Sequence, residues 1–212
     1  MADNMIEIEN VTKQYGKAVV LDSVSAGFER GKIHGIVGRN GSGKTMLMKA
    51  VCGFINVNAG RVSVDGKEIG KDIEMPDDMG IIIETPGFIP MYSGRKNLRL
   101  LASVKKKVGV REIEDYMRKV GLEPGDKKPV GKYSMGMRQK LAIVQAVMEN
   151  PRLLILDEPM NGLDNNSVGV VRSLLKELAE GGTTILLASH NTEDIDELCD
   201  TVIHMDSGRI IG

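Results

Sequence analysis

The chain is predicted to be α/β, a mostly parallel sheet carrying an antiparallel β edge and an inserted helical lobe. Three observations predict this. First, the short apolar run Ile33-His34-Gly35-Ile36-Val37 leads into the Gly-rich loop GRNGSGKT and then into the helical stretch MLMKAVCGFI. Second, the chain after Pro151 alternates a buried strand (LLILD), a helix (SVGVVRSLLKELAE) and a second buried strand (TTILLASH), the βαβ order of a parallel sheet. Third, the stretch between them is helical: GRKNLRLLASV, then REIEDYMRKV closed by Gly121, then MRQKLAIVQAVMEN before Pro151.

The remaining elements follow in order. MIEIENVTKQY and VVLDSVSAGFERG alternate apolar and polar residues around a Gly16-Lys17 turn, as half-buried strands do. RVSVDGKEI adds a hairpin at Asp65-Gly66. Gly181-Gly182 ends the helix before TTILLASH, TEDIDELC supplies one more helix, and TVIHMDSGRII closes as a hairpin around Ser207-Gly208. The 212 residues fit one domain. Residues 1–87 and 148–212 are expected to form its core lobe and residues 88–147 its helical lobe.

Composition narrows the function classes. Lys and Arg number 28 against 29 Asp and Glu, a net charge of −1, so the broad basic field of a dedicated nucleic-acid binder is missing and no nucleic-acid partner is expected. Apolar runs such as Leu153 to Leu156 and Ile185 to Ala188 are far shorter than the roughly 18 residues that cross a bilayer. The opening MADNMIEIEN lacks the basic and apolar regions of a secretory signal, which predicts a cytoplasmic address. Cys52 and Cys199 form no CxxC pair and read as small core hydrophobes. His34 and His204 read as structural or solvated, Leu141, Val144, Val147 and Met148 as a core stripe, and Lys105-Lys106-Lys107 as a solvated helix end.

Chemistry concentrates in a few segments. Gly38-Arg39-Asn40-Gly41-Ser42-Gly43-Lys44-Thr45 has the pattern GxxxxGK[ST], whose glycines let successive backbone N–H groups turn inward around phosphate oxygens. From the chain's own residue frequencies this pattern arises by chance roughly 0.02 times, so the match is specific, and its place between strand and helix is the required context. The chain therefore reads as a P-loop NTPase. Lys44 would reach the β and γ phosphates of a nucleotide, and the Thr45 hydroxyl would ligate Mg²⁺. In LLILDEP, four apolar residues deliver two carboxylates at a strand's C-terminal end, where open α/β sheets hold ligands. Asp157 would hold Mg²⁺ through its shell, and Glu158 would orient or deprotonate the attacking water. Ser134 is an N-cap, and with Gly136 it makes a second anion site at a helix start.

With YSMGM in place the chain resembles the nucleotide-binding subunit of an ATP-binding cassette (ABC) transporter over essentially its whole length. By that resemblance Tyr15 stacks on adenine, GRNGSGKT is the Walker A loop, and YSMGM is the signature, with Ser134 and Gly136 facing phosphate. LLILDE is the Walker B strand, Asn161-Gly162-Leu163-Asp164 the D-loop, and His190 the switch histidine. ATP and Mg²⁺ are the implied cofactors. Two departures stand out. Tyr133, Met135 and Met137 replace Leu, Gly and Gln of the usual LSGGQ, and Glu84 stands where the family normally has a Gln. Glu84 with this signature resembles the ATPases of lantibiotic and bacteriocin self-protection and of antibiotic efflux. A carboxylate there, as a metal ligand or partner to the attacking water, strengthens a metal contact and repels the γ phosphate, two effects of opposite sign on hydrolysis.

The resemblance puts the Walker A and signature loops at opposite ends of one chain. A phosphate then meets both only if a second ATPase subunit packs head-to-tail, most simply as a homodimer enclosing two ATP molecules. The implied function is ATP hydrolysis that powers a transmembrane permease subunit, an exporter of an antimicrobial peptide or drug, with this chain peripheral on the inner face of the cell membrane. Two alternatives stay open: a membrane-associated ABC ATPase acting in division or signalling, and a P-loop kinase, which leaves YSMGM, NGLD and His190 unexplained.

Overall fold

The computed structural model describes residues 3–84 and 87–211. The chain opens with two long antiparallel strands, β1 (Asn4–Tyr15) and β2 (Ala18–Glu29), turned at Gly16-Lys17. Strands β4 (Ala59–Val64) and β5 (Lys67–Glu68) extend them to a four-stranded sheet in the order β2-β1-β4-β5. A second sheet holds β3 (Ile33–Val37), β6 (Met79–Ile82), β7 (Leu153–Asp157), β8 (Thr184–Ala188), β9 (Thr201–Asp206) and β10 (Arg209–Ile210) in the order β10-β9-β3-β8-β7-β6. Five of its strands are parallel, and β10 turns back antiparallel on β9 at Ser207-Gly208. The antiparallel strands form a sheet of their own rather than an extension of the parallel one. The two sheets meet where Asp22 N–H donates to Gly208 O at 2.8 Å and Arg209 pairs with Asp22.

Strands β7 and β8 are apolar along almost their whole length because both faces are covered. Leu153, Ile155, Leu186 and Ala188 pack with α1 (Lys44–Val51) and the antiparallel sheet. Leu154, Leu156, Ile185 and Leu187 pack on the other face, against the helices. Those helices are α2 (Gly94–Lys105), α3 (Val110–Lys119), α4 (Met135–Val147) and α5 (Asn165–Glu180), followed by the short α6 (Thr192–Leu198). Side chains satisfy orphan amides at their starts: Ser93 accepts from Lys96 N–H, Ser134 from Met137 N–H, Asp164 from Ser167 N–H and Asn191 from Glu193 N–H. The expected stripe Leu141, Val144, Val147 and Met148 is fully buried, in one cluster with Leu98, Ile113 and Met117 of the inserted helices and Leu154 of the sheet. Helix α4 lies so close to β6 that a Cβ at Gly80 would stand 1.9 Å from Ala146 O.

Several residues have structural work only. His34 is buried, with Nε2 at 2.8 Å from Glu29 O and Nδ1 at 2.7 Å from Thr201 Oγ1. Burial pushes the thiols of Cys52 and Cys199 up to about 12, so neither is a thiolate at neutral pH. Lys105 donates to Asp77 O and Lys107 pairs with Asp78, tying the end of α2 to the segment that enters β6.

Candidate functional site

The parallel order β3-β8-β7-β6 brings four strand ends to one edge of the sheet. From them emerge the loop 38–45, Ser189-His190, Asp157-Glu158 and Ile83-Glu84. A cleft of about 940 Å³ opens there, lined by Asn40, Gly41, Ser42, Gly43, Lys44 and Thr45, and by Glu84, Asp157 and Glu158. It is the expected location for a ligand of an open α/β sheet.

The loop is built for an anion. Gly41 (φ 80°) and Gly43 (φ 108°) adopt backbone that L side chains rarely take, and α1 begins immediately after them with its amide dipoles aimed at the cleft. A Cβ at Gly38 would stand 2.3 Å from Met205 O, so the strand-to-loop transition tolerates no side chain. Lys44 is 7% exposed, its Nζ donating to Gly38 O at 2.6 Å and to Arg39 O at 3.2 Å. Ser42 Oγ is buried without a hydrogen-bond partner. An orphaned hydroxyl, a cation and turned-in amides together fit a polyphosphate.

Beside the loop sits a set of hard oxygen donors. Thr45 Oγ1 donates to Asp157 Oδ2 at 2.6 Å, and Glu84 lines the same cleft. One hydroxyl and two carboxylates suit Mg²⁺, which retains waters and phosphate oxygens in its shell. Next to Asp157, Glu158 Oε2 lies 2.7 Å from His190 Nδ1. Glu84 pairs with Lys49 of α1. Both Glu84 (φ 62°) and Glu158 (φ 52°) occupy left-handed backbone without being glycine, which costs about 1 kcal/mol or more each.

Other expected site residues lie outside the cleft wall. Tyr15 is half exposed, with Lys13 Nζ 4.6 Å from its ring centroid. Asp164 caps α5, and its bonds from Ser167 N–H and Oγ–H hold its carboxyl below the usual range. Ser134 caps α4, and neither it nor Gly136 lines the cleft, whereas Tyr133, Met135, Arg138 and Gln139 do. Residues at the start of α4 thus line the same cleft as the phosphate loop within one chain. Gln139 Nε2 donates to Pro159 O at 2.7 Å, fastening α4 to the segment after Glu158. Arg138 and Gln139 close the run Tyr133 to Gln139 that carries the signature, but they are not among the residues the sequence assigns to the site. Their signal is that place in the run, together with two long polar side chains in the first turns of a helix whose other residues are largely apolar.

The ABC transporter family model matches residues 21–161. The chain belongs to this family. It is an ABC ATP-binding protein and an ATPase of the transport-coupled kind. It is 42% identical, over 97% of its length and 94% of the relative's, to the uncharacterized ABC transporter ATP-binding protein YybJ of Bacillus subtilis. It is 39% identical, over 98% of its length and 68% of the relative's, to the bacitracin transport ATP-binding protein BcrA of Enterococcus faecalis. The lantibiotic transport ATP-binding protein SrtF of Streptococcus pyogenes is 34% identical over 98% of this ABC ATPase and 89% of SrtF. Among solved structures, the ATP-binding subunit of an ABC transporter superposes with a TM-score of 0.89 at 27% identity, over 98% of this chain and 88% of that one. The likeness read from Glu84 and YSMGM agrees with the names of BcrA and SrtF.

Proposed function

We propose that two copies of this chain close head-to-tail around two ATP molecules. Their cycle drives a separate transmembrane permease that exports an antimicrobial peptide or drug. The observation that carries the hydrolytic half is the 2.7 Å contact between Glu158 and His190 at the cleft that also holds Lys44 and Asp157. In this reading the loop amides and Lys44 hold the β and γ phosphates, and Thr45, Asp157 and Glu84 hold Mg²⁺. The metal, when bound, neutralises charge on the phosphate oxygens. Glu158 accepts a proton from the water that attacks the γ phosphorus, the bond to the ADP oxygen breaks, and His190 fixes the carboxylate's aim. Tyr15 stacks on adenine from its exposed position.

Ser134 and Gly136 stand outside their own chain's cleft, which supports their meeting the γ phosphate of the partner's nucleotide, with Asp164 alongside. Residues 88–147 act in this scheme as the lobe that carries the signature to the partner. No helix among the described residues is long and apolar enough to cross a membrane, and in this scheme the translocation path is the permease's. Leu100, Leu101 and Val104 form an exposed apolar stripe on α2, and Val104 is 78% exposed. A permease docked on that stripe and the Glu84 loop would hold the chain at the inner face of the membrane. The names of BcrA and SrtF support a peptide antibiotic as cargo.

Glu158→Gln tests the scheme. It removes the proton acceptor and leaves the phosphate cradle intact, so Mg²⁺-ATP should bind and trap a dimer on size exclusion while turnover falls at least 100-fold. A variant that stays monomeric and turns over normally overturns both the dimer and the role of Glu158.

A further inference from the structure

His190 extends from a loop whose own side chains are mostly solvent-facing, yet its two neighbours are tied to one buried polar chain. Asn191 N–H donates to Ser189 Oγ at 3.1 Å, and Ser189 Oγ–H donates to Asp194 Oδ2 at 3.1 Å. The other oxygen of Asp194 accepts from Arg172 Nε at 3.0 Å and Nη2 at 2.6 Å. Ser189, Asp194 and Arg172 are each more than nine-tenths buried. The second face of the guanidinium is occupied too, because Nη1 reaches Glu193 and Glu197. Arg172 lies on α5, the helix that Asp164 caps, and Ser189 immediately follows β8.

A buried, two-nitrogen guanidinium–carboxylate fork fixes direction as well as distance. It costs desolvation that apolar residues would avoid, so its presence beside an exposed histidine calls for a use other than stability. The single hydroxyl of Ser189 sets the backbone on both sides of residue 190, and Glu158 N–H donates to Ala188 O at 2.9 Å, so the carboxylate segment is hung from the same strand end. We propose that Arg172, Asp194 and Ser189 are positioning residues for hydrolysis: they hold the Ser189–Asn191 backbone so that His190 meets Glu158, and they join that contact to the helix rising from Asp164. The inference rests on His190 and Glu158 acting in hydrolysis, and adds the three residues that aim them.

Ser189→Ala deletes the hydroxyl and leaves the Arg172–Asp194 pair whole, so it should fold. It should lower kcat for ATP hydrolysis about tenfold with the KM for ATP unchanged, since the phosphate loop is untouched. Ser189→Thr keeps the hydroxyl and should retain the rate. Arg172→Lys keeps the charge, loses the fork and should fall between the two. A merely structural network is separated by epistasis: in a His190→Ala background, Ser189→Ala should have no further effect, because its only route to the chemistry is gone. The His190 ring resonances in NMR spectra of the nucleotide-free protein should shift in Ser189→Ala and stay in place in Ser189→Thr. Full kcat in Ser189→Ala alongside a His190→Ala variant that has lost hydrolysis overturns the positioning role and leaves the catalytic reading standing. Full kcat in His190→Ala itself overturns the catalytic reading. Additive losses in the double variant show that the network acts through stability, and overturn the inference.

Discussion

Thr45 and Asp157, 112 residues apart in sequence, share a 2.6 Å hydrogen bond that joins the first turn of α1 to the end of β7. A hydroxyl donating to a carboxylate is a preassembled pair of hard oxygen donors, held by the parallel order of β3, β8 and β7. Thr45→Val removes one donor and preserves shape. It should bind ATP with similar affinity in EDTA and lose most of the tightening that Mg²⁺ brings, about tenfold or more. Titration of a fluorescent ATP analogue with and without Mg²⁺ measures this. Equal Mg²⁺ enhancement in variant and parent would remove Thr45 from the metal site.

Gly80 is where β6 and α4 touch. An alanine Cβ there would stand 1.9 Å from Ala146 O and 2.8 Å from Leu154 Cδ1, and the first of these is backbone that does not swing aside. Gly80→Ala should destabilise the fold by about 3 kcal/mol, the upper end of overpacking costs. That corresponds to a fall in Tm of roughly 6–12 °C for a chain of this size. Because α4 carries the cleft wall formed by Met135, Arg138 and Gln139, ATP affinity should drop as well. Calorimetry showing an unchanged Tm would mean the helix moves away at no cost.

His34 gives the fold an acid-sensitive point. Burial beneath the antiparallel sheet holds its pKa below the usual value, outweighing the favourable contact with Glu29 O. The unfolded chain therefore binds a proton more readily than the folded one. The stabilisation is complete above the unfolded pKa of about 6.5 and is lost as pH falls through the folded value. Urea midpoints measured from pH 8 to pH 5 should decline on acidification, and the decline should shrink in His34→Asn. An identical pH slope in that variant would assign the acid sensitivity to other groups.

Sequence made the strands and the phosphate loop legible because both depend on local pattern. The alternation in β1 and β2, the apolar runs of β7 and β8, and the spacing of Gly38, Gly43 and Lys44 are properties of short windows. Helix limits also follow from local pattern: α2 begins at Gly94 and α3 at Val110, within a residue of the stretches GRKNLRLLASV and REIEDYMRKV. What stayed hidden is contact between distant windows. The alternation of β1 states which face is buried and says nothing of which sheet the strand joins, so the separate antiparallel sheet emerged only in three dimensions. Arg138 and Gln139 become cleft residues because α4 packs on β6 through Gly80, a tertiary approach that their own neighbours do not announce. The fork of Arg172 on Asp194 spans 22 residues and two helices, and a charged residue within a helix reads from sequence as an ordinary solvated one.

Glu84 stands where the resemblance to the family leads one to expect a Gln, and its surroundings make that difference testable. The carboxylate pairs with Lys49 Nζ at 2.5 Å while 66% of the side chain is exposed. An ion pair that open to water contributes at most about 1 kcal/mol, so its purpose is not stability. In the proposed scheme Lys49 offsets the negative charge that would otherwise repel a γ phosphate, and Glu84 itself occupies left-handed backbone at φ 62°. Glu84→Gln keeps length and an oxygen in place, and should retain ATPase and transport within about threefold. Glu84→Ala removes the oxygen altogether. It should bind ATP near normally and lose the extra hydrolysis that a permease stimulates, because in the proposed scheme the Glu84 loop connects the metal to the docked permease. Basal and permease-stimulated ATPase of both variants, with their Tm, decides the matter. Full stimulation and full transport in Glu84→Ala would reduce Glu84 to a surface carboxylate paired with a lysine. Loss of basal binding in that variant would instead place it in the nucleotide cradle itself.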